Sequence, residues 1–192
     1  VSVLDYGFDR QRQPYFTMQF LAPALPLGEA ACGQSVVGKV LLLLQVLQAL
    51  TYLHRCGVLH RDLKPSNILV VSGSSGLQVK LLDFGLALLT RDVQGSLIEL
   101  GGTVGYLAPE LLLGAPPSVA SDLFSVGVMA CELLVGAHPT GASTQAAMLN
   151  ALAGSDPIFG EDAALGPQLS AVLRQALSRN PTERFRDASQ FM

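Results

Sequence analysis

The sequence has no tryptophan, only three lysines (Lys39, Lys64 and Lys80) and only 14% charged residues over its 192 positions. Twelve lysines and arginines against fifteen aspartates and glutamates leave a net charge of −3. That balance argues against nucleic-acid binding and against electrostatic adhesion to anionic membranes, both of which need a basic patch. Cysteine is scarce and odd in number. Cys32, Cys56 and Cys131 fit no zinc-ligand spacing and make a poor disulfide framework. They read as reduced, buried thiols of a cytoplasmic protein. Residues 1–10 lack a basic start followed by an apolar run, so they do not read as a secretory signal. Internal repeats and low-complexity tracts are absent too.

What is present is apolar material: 49% of the residues, enough for one domain with a sizeable core. Residues 1–6 and 15–21, rich in β-branched and aromatic side chains and separated by the polar turn 9–13, predict a β-hairpin. Pro23 and Pro26 mark an extended linker. Residues 35–53 are the most apolar stretch, long enough to raise the question of a membrane span. Lys39, Gln45 and Gln48 interrupt it, and a lysine near the middle of a span costs about 2.5–3.5 kcal/mol, which favours a fully buried core helix. Residues 68–71 and 77–82 predict two strands joined by a loop with hairpin chemistry. A helix is predicted over 121–135, with Asp122 in its first turn and Gly136 just past its end. Leu169, Val172, Leu173, Ala176 and Leu177 have helical spacing and predict another over 166–178.

One segment carries chemistry. His60-Arg61-Asp62-Leu63-Lys64-Pro65-Ser66-Asn67 is followed, sixteen residues after Asn67, by Asp83-Phe84-Gly85, and later by Ala108-Pro109-Glu110. These match the patterns H-R-D-L-x-x-x-N, D-F-G and A-P-E in order. Taken singly, Asp62 serves equally as a turn cap, Asn67 as a partner for backbone groups and Lys64 as a solvated charge. Their joint occurrence reverses that preference. A Ser-His-Asp hydrolase using His60 is disfavoured, because no G-x-S-x-G elbow accompanies it. On these motifs the chain resembles the Hanks-type (eukaryotic-type) serine/threonine protein kinase family over essentially its whole length.

The resemblance implies an α+β, protein-kinase-like fold. Residues 1–21 would be the last two strands of the N-terminal lobe and the hinge, and residues 22–192 a mainly α-helical C-terminal lobe. It also implies ATP and Mg2+ as cofactors and a protein substrate, with no nucleic-acid partner and no membrane contact within this segment. Phosphoryl transfer demands positioning and charge neutralisation, and magnesium demands hard oxygen ligands. In the family, Asn67 and Asp83 are the metal ligands. Asp62 orients the substrate hydroxyl and takes its proton, and Lys64 places its ammonium on the transferring phosphate. Lys64 and Thr103, the latter in Gly102-Thr103-Val104-Gly105-Tyr106, point to serine/threonine specificity.

By the same resemblance Met18 is the gatekeeper at the back of the adenine pocket. Gln19, Phe20 and Leu21 form the hinge that binds the adenine edge, and Leu69 is the apolar floor under the base. His60 packs against Phe84, Asp122 bonds the backbone of the catalytic loop, and Arg184 pairs with Glu110. Arg61 marks the class switched on by phosphorylation, because this arginine pairs with an activation-loop phosphate. Ser96, in the middle of that loop, is the expected site, with Thr90 the other candidate. The segments Asp5-Tyr6-Gly7-Phe8 and Val79-Lys80-Leu81-Leu82-Asp83 look more like bacterial multidomain kinases than animal ones.

A further absence bears on this. The sequence holds no G-x-G-x-x-G and no G-x-x-x-x-G-K, and its three lysines fall in the long helix, the catalytic loop and the strand before Asp83. None is the phosphate-anchoring lysine that a working kinase needs. Two readings stay open: a fragment of an active kinase, cut upstream of Val1, or a pseudokinase or interaction scaffold that keeps the fold without catalysis. Intact Asp62, Lys64, Asn67 and Asp83 favour the first. A small-molecule phosphotransferase is disfavoured by Ala108-Pro109-Glu110, which builds a platform for protein substrates. The 192 residues alone are expected to bind ATP poorly and transfer little phosphate.

Overall fold

The computed structural model describes residues 3–73, 76–82, 104–140, 159 and 165–192. The first hairpin forms as the alternating apolar runs predict. Strands β1 (Val3–Phe8) and β2 (Pro14–Met18) pair antiparallel, with Tyr6 opposite Phe16 and Phe8 opposite Pro14. Asp9 organises the turn, its carboxylate accepting from the N–H groups of Gln11 and Gln13, the local competition with the ladder that suits aspartate to turns. β2 ends at Met18, so Gln19, Phe20 and Leu21 form a connector rather than the end of a strand.

The proline-marked linker proves to contain a strand. β3 (Ala24–Pro26) pairs with β4 (Ile68–Gly73), which pairs in turn with β5 (Gly76–Leu81), giving an antiparallel sheet in the order β3-β4-β5. β3 lies at the edge, where a proline without an N–H does not break a ladder.

Helix α1 (Leu27–Ala31) leads to α2 (Val36–Arg55), whose N-cap Ser35 accepts from the Gly38 N–H. α2 is not buried all round, contrary to the expectation of a fully buried core helix. Leu42, Leu43, Val46, Leu47 and Leu50 face the core, whereas Val37, Leu41 and Tyr52 are more than half exposed. The helix has long enough an apolar window to pass for a membrane span by composition, but its inner stripe packs on the rest of the chain at helical spacing. Gln45 interrupts the apolar run for a physical reason. Its amide donates to the Leu77 carbonyl and accepts from the Val79 N–H, so it supplies partners of the kind a neighbouring strand would give β5.

Helix α3 (Pro109–Leu112) precedes α4 (Val119–Val135), the centre of the molecule. α4 starts two residues before the predicted position, because Ser118 and Ser121 cap each other's backbone N–H groups. It ends at Gly136, in the left-handed conformation at φ 84° that favours glycine. Leu123, Phe124, Val126, Val128 and Met129 are all fully buried, so the helix is enclosed on every side. Gly127 permits this: a Cβ there would come within 3.0 Å of Ala176 on α5 (Gly166–Ala176). A final turn, α6 (Ala188–Phe191), brings Phe191 onto Phe185 with ring centroids 4.6 Å apart. Of the three cysteines only Cys131 is buried. Cys32 and Cys56, at the C-terminal ends of α1 and α2, are exposed because helix ends come to the surface there. The buried-thiol expectation therefore holds for one of three.

Candidate active site

The segment from His60 to Asn67 crosses the gap between α2 and β4 as an irregular loop ending in a 3-10 turn, Pro65–Asn67. Burial sets the direction of its side chains. His60 and Leu63 are sunk in the core at 0% and 2% exposure. Asp62 and Lys64, on either side of Leu63, turn outward and keep about a quarter of their surface, 25% and 24%. The Lys64 ammonium lies 2.9 Å from the Asp62 carboxylate. Asn67, nearly buried, donates both amide hydrogens to Asp62, one to its carbonyl and one to its carboxylate, each at 2.8 Å. A carbonyl and a carboxylate can only accept, so this fixes the amide orientation and leaves the Asn67 oxygen as the atom to meet a cation.

The loop is held from beneath by α4. Both oxygens of Asp122 accept at 2.9 Å, Oδ2 from the His60 N–H and Oδ1 from the Arg61 N–H. Arg61 has φ +70°, a conformation that costs a non-glycine residue roughly 1–3 kcal/mol and persists only when the surroundings impose it. Asp122 supplies that imposition. His54, near the end of α2, adds its Nε2 to the same carboxylate at 2.9 Å. Sequence reasoning missed His54, since a single histidine in an apolar helix has no local pattern to single it out. Burial pushes the His60 imidazole below its ordinary range, against the opposing pull of Asp122 and Asp62.

A second anchor lies under α3. The Arg184 guanidinium grips Glu110 with two parallel bonds of 2.8 Å. Its remaining N–H groups go to the carbonyls of Ser178, Ala120 and Arg179. All five donors of a fully buried arginine are thus satisfied, with the Phe124 ring 4.7 Å from its central carbon. The pair expected from the sequence is present, and removing one side of such a buried pair typically costs about 3–5 kcal/mol.

Beside the loop is a cleft of about 200 Å³ lined by Met18, Gln19, Phe20, Leu21, Leu69 and Leu82. It gathers all five residues expected at the adenine pocket and adds Leu82, which the sequence did not single out. The cleft adjoins the His60–Asn67 loop through Asn67, whose carbonyl accepts from the Leu82 N–H at 2.9 Å. A larger groove lies elsewhere, between α2 and α6, lined by His54, Arg55 and Arg186 among others and holding none of these side chains. Asp83, Phe84, Ser96 and Thr103, and the alternative Thr90, lie outside the described residues, as does the His60–Phe84 contact.

Residues 31–192 match the sequence model of the protein kinase domain, and the chain belongs to that family. It is 35% identical over 130 residues to "Serine/threonine-protein kinase pkn2" of Myxococcus xanthus, covering 65% of this chain and 16% of that protein. It is 44% identical over 81 residues to "Calcium/calmodulin-dependent protein kinase type II" of Caenorhabditis briggsae, covering 42% of this chain and 15% of that protein. The matched regions therefore span about a sixth of the length of these relatives. The resemblance to a Hanks-type kinase, with a bacterial relative among the matches, and the α+β fold class stand as read from the sequence.

Proposed function

We propose that the protein carrying this chain transfers the γ-phosphoryl group of Mg-ATP to serine or threonine hydroxyls of a protein. The observation that carries this is the Asp62–Lys64–Asn67 cluster, a carboxylate about a quarter exposed, met by an ammonium and an amide beside an apolar cleft. In this reading the Asp62 carboxylate orients the acceptor hydroxyl and takes its proton, and Lys64 neutralises charge on the transferring group. The adenine lies against Leu69 and Leu82 and is met by the backbone of Gln19–Leu21. The Asn67 oxygen and the Asp83 carboxylate suit Mg2+, which takes hard oxygen ligands and, when bound, screens the phosphate charge. Residues 1–21 would serve as small-lobe hairpin and hinge, and 22–192 as the large lobe.

Regulation follows from Arg61. Its Nε is buried and has no hydrogen-bond partner among the described residues, which suits an anionic partner supplied by a phosphorylated Ser96.

The test is phosphoryl transfer by the natural protein to a randomised serine/threonine peptide array, with and without Asp62→Asn. Loss of a positioned base predicts a fall of about 10²–10⁴-fold. Phosphopeptide mapping of the same reaction reads the Ser96 proposal. The 192 residues expressed alone should be at least about ten- to a hundred-fold weaker than the natural protein, for want of a phosphate-anchoring lysine. A natural protein that binds its partners but transfers no phosphate is a scaffold, and the catalytic reading falls.

A further inference from the structure

The segment just before α3 contains a 3-10 turn, Val104–Tyr106, tied to the structure by three side chains. Two come from α4: Ser125 donates to the Tyr106 carbonyl at 2.7 Å, and Glu132 accepts from the Tyr106 hydroxyl at 2.8 Å. Burial, and then the Glu132 hydrogen bond and charge, raise the Tyr106 phenol well above its ordinary pKa. That keeps it protonated, as this bond requires. The third tether is His138, three residues past the end of α4. Its Nε2 lies 2.9 Å from the Gly105 carbonyl, and its ring meets Tyr106 edge-on at 6.2 Å.

The partners of His138 define its chemical state. The Gly105 carbonyl can only accept, so Nε2 carries a hydrogen. The Thr140 N–H, 3.3 Å from Nδ1, can only donate, so Nδ1 presents its lone pair. The Thr140 hydroxyl sits 3.1 Å from the same nitrogen. These contacts match the Nε2–H tautomer of His138. The ring is held by Thr140 on one side and holds the backbone at Gly105 on the other. An imidazole oriented from one nitrogen to present the other is an arrangement of positioning residues.

We infer that His138 is a positioning residue for the protein substrate, fixing the Gly105–Tyr106 backbone that follows Thr103 against the end of α4. It acts through the loop and touches no reacting atom. The inference rests on the kinase reading for its consequence, since a loosened loop weakens the acceptor peptide and leaves the nucleotide cleft, lined from Met18 to Leu21 and by Leu69 and Leu82, untouched.

Three variants in the natural protein separate the contributions. His138→Phe keeps a ring against Tyr106 but loses the donor. His138→Gln restores an N–H at the same reach, and His138→Ala removes both. With the best peptide from the array, His138→Phe is expected to raise the peptide KM about tenfold, on the scale of one lost hydrogen bond. The KM for ATP and the kcat should stay within about twofold, and His138→Gln should recover most of the loss. Equal falls in kcat across all three variants, or a Gln variant as poor as Phe, would overturn it.

A second measurement is independent of catalysis. Nitrogen NMR of the imidazole in the 192-residue chain should show a protonated Nε2 and an unprotonated Nδ1 near neutral pH. Amide exchange at Tyr106 and Leu107 should quicken in His138→Phe. If the natural protein transfers no phosphate, the functional reading fails while these signals still decide whether His138 holds the turn. The opposite tautomer, or unchanged exchange, sinks the inference.

Discussion

The described residues form two small antiparallel sheets of contrasting character. In β1–β2 the apolar side chains look outward: Leu4, Tyr6 and Phe8 are 68%, 82% and 71% exposed. In β4, Ile68 and Val70 are 0% and 4% exposed, and α1 and the 3-10 turn Pro65–Asn67 pack against the strand. The first sheet carries the aromatic side chains Tyr6, Phe8, Tyr15 and Phe16, the second aliphatic ones, and they differ as well in how far their faces are buried. β-propensity describes a side chain that fits a half-buried pleat, and only the second sheet has its buried half. A two-stranded ribbon is marginal by itself, so the difference is also one of stability. The His60–Asn67 loop feeds directly into β4, the anchored sheet. The hairpin contributes only one wall of the cleft, through Met18 and the connector that follows it.

The sharpest way to break this contrast is to unfasten the anchored sheet. Gln45 is the polar link between α2 and β5, and Gln45→Leu keeps the volume while leaving the Val79 N–H and Leu77 carbonyl without their partner. The expected loss is about 1–3 kcal/mol, the cost of a partly buried backbone group left unsatisfied. It should appear as a lower urea midpoint with an unchanged slope. A midpoint equal to that of the parent chain would mean that water replaces the glutamine and that α2 holds the sheet by apolar contact alone.

The parts legible in the sequence were those whose signal is local. The hairpin, α2, α4 with its capping glycine, and the catalytic loop all announce themselves by period or motif. The five residues expected around the base do meet in one cleft, and Arg184 does meet Glu110 across 74 positions, because motif spacing stood in for the tertiary fold. The rest depends on contacts that no local pattern encodes. β3 was hidden because two prolines read as a linker, whereas an edge strand tolerates them. The exposed stripe of α2 was hidden because an apolar run broken only at Lys39, Gln45 and Gln48 carries little periodicity to show which side faces inward. His54, Leu82 and His138 were missed for the same reason, since each acquires its role only from a partner distant in sequence.

The anchored region should also respond to pH through His60. Burial lowers the His60 pKa in the folded chain, so the unfolded chain binds the proton more readily. Stability is then full above the unfolded imidazole value of about 6.5 and is lost as pH falls below it toward the folded value. Thermal unfolding from about pH 7.5 down to about pH 5 should show a steeper fall in Tm for the parent chain than for His60→Phe, the difference isolating His60 from the carboxylates. Parallel curves would show that its proton uptake is the same in both states.

The smallest effect belongs to the hairpin. Tyr6, 82% exposed and more so than Leu4 or Phe8, sits opposite Phe16, itself 40% exposed. A side chain that stays in water in the folded state gains almost nothing from burial, and its cross-strand contact is worth roughly 0.2–1 kcal/mol at most. Tyr6→Ser should therefore move global stability by no more than about 0.5 kcal/mol, within the range of ordinary surface substitutions. It should leave the Gln45 and His60 effects unchanged, because distant sites add independently. A loss above about 1 kcal/mol, or coupling to Gln45→Leu, would show that the hairpin is bound into the same cooperative unit as β4. The exposed aromatic face would then be part of the structure that holds the cleft rather than a ribbon attached to it.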